Sequence, residues 1–107
     1  MERILKSVLD SIIEGIIIVN KEANVVYVNK NASKLLGLPS DIIGKYVEDV
    51  VENTRLHIVV RTGLPEIDQV QRTENAVIIT SRLPIKDERG EIIGAVAVFR
   101  DITSIRK

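Results

Sequence analysis

The residues of this chain that could do chemistry are few, and their spacing joins them into no reactive set. His57 is the only histidine and cysteine is absent, which excludes a disulfide, a thiol nucleophile, a thiolate–zinc site and a cysteinyl flavin adduct. A lone imidazole can bind haem iron, but haem also needs a wide apolar slot, usually with aromatic contacts. Only 3% of the residues are aromatic, with a single Phe and no Trp, so haem and flavin are not expected and no cofactor is assigned. On a helical wheel His57 falls one residue step, roughly 100°, from the stripe of Leu56, Val59 and Val60. It reads as a histidine at the rim of that face. No nucleophile, metal cluster or acid/base pair can be assembled with any specificity, so no catalytic or metal-binding residue is expected.

What remains is recognition. Arg82 sits in an apolar run, Ala76 to Ile85; if it faces the interior it must be paired, because an isolated buried charge is very costly. The pairing group is either an internal carboxylate or the anion of a small carboxylate metabolite. Hydrophobic alternation alone favours Val77, Ile79, Leu83 and Ile85 as the inward set, which leaves Arg82 outside. Asn53 and Arg55 have two readings of the same kind. They are a helix cap and a solvated side chain, or they are donors at a pocket mouth. Asp101 and Thr103 place an acid and a hydroxyl where they can fix the exit of the last strand and cap a following helix.

Behind these residues the elements follow from periodicity. Ile4, Leu5, Val8, Leu9, Ile12 and Ile13 mark an amphipathic N-terminal helix within residues 1–14, stopped at Gly15. Ile16–Val19 and Val25–Val28 are short β-branched strands around the polar turn Asn20–Asn24. Asn29 or Asn31 caps a brief helix that ends at Gly37, Pro39–Asp41 restarts a turn, and Tyr46–Glu52 is a further short helix. Asn53-Thr54 caps another, closed by Gly63 and Pro65. Three strands follow at Ile67–Arg72, Ala76–Ile85 and Ile92–Ile102, with Lys86–Gly90 as a charged hairpin turn. An antiparallel five-stranded sheet in the order 2-1-5-4-3, with the helical stretch on one face, satisfies this α+β pattern. The N-terminal stripe of Leu5, Val8 and Ile12 is left to pair with a second copy, so a homodimer is expected.

At 107 residues the chain makes one domain, burying roughly 60–70% of its unfolded surface. Fifteen basic residues balance fifteen acidic ones, which removes the attraction that drives phosphate-backbone or anionic-membrane binding. Neither nucleic acid nor membrane is an expected partner. No apolar run approaches the ~20 residues of a membrane span and no signal peptide is present, so the expected location is the cytoplasm.

With that layout, Glu14-Gly-Ile16, the stretch Asn29…Ala32…Leu36-Gly37, Pro84-Ile-Lys-Asp-Glu-Arg-Gly90 and the closing Asp101-Ile-Thr103 resemble the PAS family over the whole chain. The resemblance implies a sensing and relaying fold, with a core over residues 15–103 and the start of an output helix at 104–107. It also implies a different phase for the fourth strand, with Ile78, Thr80 and Arg82 toward the helices. The candidate pocket is then Arg82, Thr80, Ile78, Phe99, Ala97, Arg55 and His57. Phe99 stands where light-sensing flavin members place a flavin-contacting glutamine. Asp101 and Thr103 become the signal relay.

A narrower similarity, on Asn53-Thr-Arg-Leu56, Thr62-Gly-Leu-Pro-Glu66, Arg82-Leu-Pro-Ile85 and Phe99-Arg-Asp-Ile-Thr103, is to PAS domains of bacterial sigma-54-dependent activators. There the module precedes an AAA+ ATPase and a helix-turn-helix domain, neither of which is found in this sequence. The expected role is thus a sensor and dimerisation domain attached to an AAA+ or kinase effector. The alternatives are the PAS domain of a sensor histidine kinase or a ligand-free structural dimerisation module.

Overall fold

The computed structural model describes residues 2–74 and 76–103. Along the chain run α1 (Glu2–Ser11), β1 (Gly15–Asn20), β2 (Val25–Val28), α2 (Lys30–Leu36), α3 (Val47–Val50), α4 (Leu56–Thr62), β3 (Glu66–Arg72), β4 (Val77–Lys86) and β5 (Ile92–Asp101). The strands form one antiparallel sheet in the order β2-β1-β5-β4-β3, as the sequence pattern predicts. Residues 104–107, expected to begin an output helix, lie outside the described residues.

The turns are made by side chains that imitate backbone. Asn20 Oδ1 accepts from the amides of Glu22 and Asn24, and Asp87 Oδ1 accepts from those of Arg89 and Glu91. Such Asx contacts fix a tight reversal without help from distant residues. The helical crossover uses the same economy: Asn29 Oδ1 caps α2 at Ala32 N, and the helix stops at Gly37 in the left-handed region, φ 62. Gly63, φ 70, ends α4 likewise.

Two expected boundaries shift. The first helix ends at Ser11, not Glu14, because Asn31 Nδ2 takes the carbonyls of Ile12 and Ile13 and Asn29 Nδ2 takes those of Leu9 and Glu14. Asn53 is not the cap of α4: it lies at φ 59 and donates to the Arg72 carbonyl, while Thr54 Oγ1 accepts from Leu56 N.

The core lies between the sheet and the crossover, where Ile17, Val19, Val25, Ala32, Val47, Leu56, Val59, Ile78, Ala95, Ala97 and Phe99 are buried. Phe99 covers bare backbone, since a Cβ on Gly15 would stand 2.3 Å from its ring. By contrast α1 contributes no buried residue, and it leaves the outer face of β4 uncovered, with Leu83 40% exposed.

Candidate functional site

Pairing across the sheet builds the site. Val28, Ile17, Ala97, Arg82 and Glu66 are successive cross-strand partners from β2 to β3, so they share one face. Ile17 and Ala97 on that face are buried beneath the helices. Arg82, at 2% exposure, and Thr80, at 1%, are therefore interior. The alternation reading of β4 is corrected: Val77, Ile79, Leu83 and Ile85 are the outward set. It fails because both faces of this strand carry apolar residues, and periodicity counts apolar residues rather than locating them.

The Arg82 guanidinium is paired by an internal carboxylate. Its Nη1 donates to Glu66 Oε1 at 3.0 Å and its Nη2 to Gln71 Oε1 at 2.8 Å. Gln71 is held oxygen-inward because its amide nitrogen donates to the Glu52 carbonyl. Arg55, at the start of α4, grips the same carboxylate with a fork, Nε to Oε1 at 2.9 Å and Nη2 to Oε2 at 2.9 Å. Glu66 reaches both because β3 is irregular between Glu66 and Gln69, with Asp68 at φ 53 and its amide on Ser81 Oγ.

The electrostatics follow from this sharing. The hydrogen bond from Arg55 holds the Glu66 carboxyl below its ordinary range, against the opposing effect of burial. Burial lowers the Arg82 pKa while Glu66 counters it, and a guanidinium stays charged throughout. Arg55 is 53% exposed, so its contact with Glu66 is the solvent-facing end of a ladder whose other end is buried.

Of the candidate pocket residues, Arg82, Thr80, Ile78, Ala97 and Phe99 are buried on this interior face, Arg55 meets it only through Glu66, and His57 lies instead with Arg55 in a surface hollow beside Glu48 and Asn53. The His57 Nε2 is 3.4 Å from Glu48 Oε2 and its ring meets Tyr46 edge-on, while its Nδ1 is buried without a partner. Thr80 Oγ1 is likewise buried and unpartnered. Sequence reasoning missed Glu66 and Gln71. Glu66 lay inside the quoted string Thr62–Glu66, but nothing local signals that it turns inward to an arginine 16 positions away. Among the described residues no group of three or more His, Cys, Asp or Glu side chains can hold a metal ion, and no helix is long and apolar enough to cross a membrane.

The two ends of the domain are also built. Asn29, fully buried, accepts from Ile16 N and Ala32 N through Oδ1 and donates to α1 and the segment after it. Tyr27 Oη donates to Asp10 at 2.7 Å. At the exit, Thr103 Oγ1 accepts from Val77 N at 2.9 Å and Ile102 N donates to the Val77 carbonyl. Asp101 Oδ1 accepts from Thr103 N. The exit is thereby clasped to the first residue of β4.

The domain thus carries a buried cross-strand arginine under a helical crossover and an exit bonded to the start of β4. The chain belongs to the PAS domain family, whose model matches residues 13–104. It is 39% identical over 105 residues to the sensor protein CitS of Halalkalibacterium halodurans, covering 95% of this chain and 19% of that protein. It is 31% identical over 94 residues to a probable C4-dicarboxylate sensor kinase of Bacillus subtilis, covering 88% and 17%. With the sensor histidine kinase DcuS of Escherichia coli K12 it shares 29% over 111 residues, covering 95% and 19%. The chain thus spans about a fifth of the length of these relatives. The PAS domain structure from Colwellia psychrerythraea superposes with a TM-score of 0.73 at 17% identity, over 96% of this chain and 98% of that one. These relatives favour the sensor-kinase alternative over the sigma-54 activator.

Proposed function

We propose that this chain is the regulatory PAS module of a sensor histidine kinase, self-associating and passing a conformational change to the attached kinase through Asp101 and Thr103. The observation that carries the reading is the exit clasp. Because Thr103 is bonded to the first residue of β4, a displacement of the strand that carries Arg82 is a displacement of the chain leaving the domain. Similarity to sensor proteins over nearly the whole chain supports a kinase as the effector. The module works without haem or flavin in this reading, with His57 beside Glu48 and Tyr46, and the purified protein should be colourless.

The test is a chimaera in which this chain replaces the matching segment of a sensor kinase, assayed for autophosphorylation. Thr103→Val removes the side-chain half of the clasp, leaving the Ile102 to Val77 backbone bond, and should change phosphorylation severalfold while leaving the domain folded. Unchanged phosphorylation in that variant removes the relay role.

A further inference from the structure

We infer that Asn53 is the joint at which the helical crossover is bonded to the exit of the domain, a positioning residue that sets how a shift of the crossover reaches Thr103. The route it serves is the relay read above, and to that extent it rests on that reading. Asn53 lies in the connection between α3 and α4, residues 51–55. It is not needed as a cap, since Thr54 Oγ1 already accepts from Leu56 N. Its backbone is held at φ 59, a left-handed conformation that is costly for most side chains and that asparagine adopts more readily. From that turn its amide reaches the edge strand, where Nδ2 donates to the Arg72 carbonyl at 2.6 Å.

The route onward is short. Arg72 is the cross-strand partner of Val77, the first residue of β4. Val77 N donates to Thr103 Oγ1 at 2.9 Å, and Ile102 N donates to the Val77 carbonyl at 2.9 Å. Crossover and exit are thus joined through Arg72 and Val77, without passing through the apolar core. The neighbours of Asn53 give the joint its grip. Val51 and Thr54, at 3% and 8% exposure, anchor the connection inward, so it moves with the crossover. Glu52, between Val51 and Asn53, holds the same end of β3 and the turn after it: its carbonyl accepts from Gln71 Nε2 at 2.8 Å and its Oε1 from Glu74 N at 3.0 Å. A connection fixed inward by Val51 and Thr54 and outward by Glu52 and Asn53 cannot shift without displacing residues 71–74.

The experiment is amide hydrogen exchange on this protein, comparing the wild type with Asn53→Asp and Asn53→Gly. Aspartate keeps the size and tolerates the left-handed backbone but has no proton to give the Arg72 carbonyl, and glycine keeps the backbone while removing the side chain. In both variants the amides of Val77 and Ile102 should exchange roughly threefold faster, within the worth of one modest hydrogen bond. The amides of Asn20 and Ser33, bonded to the carbonyls of Asn24 and Asn29 and outside this route, should hold their rates. Combining Asn53→Asp with Thr103→Val should fall short of the product of the two single effects at Ile102, because both act on one connection. Unchanged exchange at Val77 and Ile102, an equal acceleration at Asn20 and Ser33, or a full product in the double variant overturns the joint. No kinase enters this measurement, so a chimaera that fails to respond to Thr103→Val overturns the relay reading and leaves the exchange rates to judge the joint on their own.

Discussion

Along β4 neighbouring residues meet opposite fates. Ile78, Thr80 and Arg82 are buried to within 2% of completely, whereas Leu83, one position on, is 40% exposed. The outer row Tyr27, Ile18, Val96 and Leu83 is as apolar as the inner row it backs, yet no helix covers its β4 end. The inner row ends in a charged pair. Polarity and burial are thus uncoupled across this sheet: the interior tolerates a guanidinium because Glu66 and Gln71 meet it, and the exterior keeps apolar side chains that nothing within the described residues buries fully.

The contrast is broken most severely by truncation on each face in turn. Phe99→Ala should cost about 3–5 kcal/mol, since it empties a core position over bare backbone, while Leu83→Ala should cost about 1 kcal/mol or less. Denaturant unfolding of the two variants measures the difference. Equal losses would mean that the outer face is covered.

Glu66→Gln comes next. Removing the shared carboxylate leaves a buried cation half-matched, and with Arg55 solvated the loss should be roughly 2 kcal/mol, below the 3–5 of a fully buried pair. The wild type should also show an acid limb that the variant lacks. The Glu66 pKa is depressed below its ordinary 4.5, so its contribution is complete above that value and disappears as pH falls through the folded-state pKa. Unfolding midpoints from pH 6 downward test this, and coincident acid limbs would contradict it.

On the outer face the titration runs the other way. Burial, helped by the hydrogen bond to Asp10 and its charge, raises the Tyr27 pKa from 10.0 to about 12. The protonated phenol is the favoured form in the folded state, so its contribution is full below pH 10 and is lost as pH rises toward about 12. Tyr27→Phe should flatten this alkaline limb in unfolding measurements.

The smallest effect on stability is expected from Leu5→Glu with Ile12→Glu. Leu5 is 55% exposed, so the fold should hold while sedimentation changes from dimer to monomer. A wild-type protein that is already monomeric at high concentration would assign the stripe no role in association.

How far the sequence could be read depended on the range of each interaction. The strand positions, the Asp87 turn and the Gly37 and Gly63 stops were legible because each rests on residues a few positions apart. The direction of Arg82 was not legible from alternation, since β4 is apolar on both faces; only the family phase placed it inward. Glu66 and Gln71 escaped because their roles depend on a bulge in an edge strand and on a partner 11 to 16 residues away. Tyr27 escaped for the same reason, its partner Asp10 lying on a helix that buries none of its own side chains.

The order of the sheet also bears on how the chain first acquires its shape. β5 is the last strand in sequence and the middle one in space, pairing with β1 through contacts such as Gly15 with Phe99. A chain emerging from the ribosome can close β1 on β2 and β3 on β4, but the two hairpins have no common seam until residues 92–101 are free. Contacts of such sequence separation slow folding and leave strand edges open in the interval. The apolar residues of β1 must therefore stay unpaired on one edge through almost the whole of synthesis, and the final strand joins the two halves into one sheet.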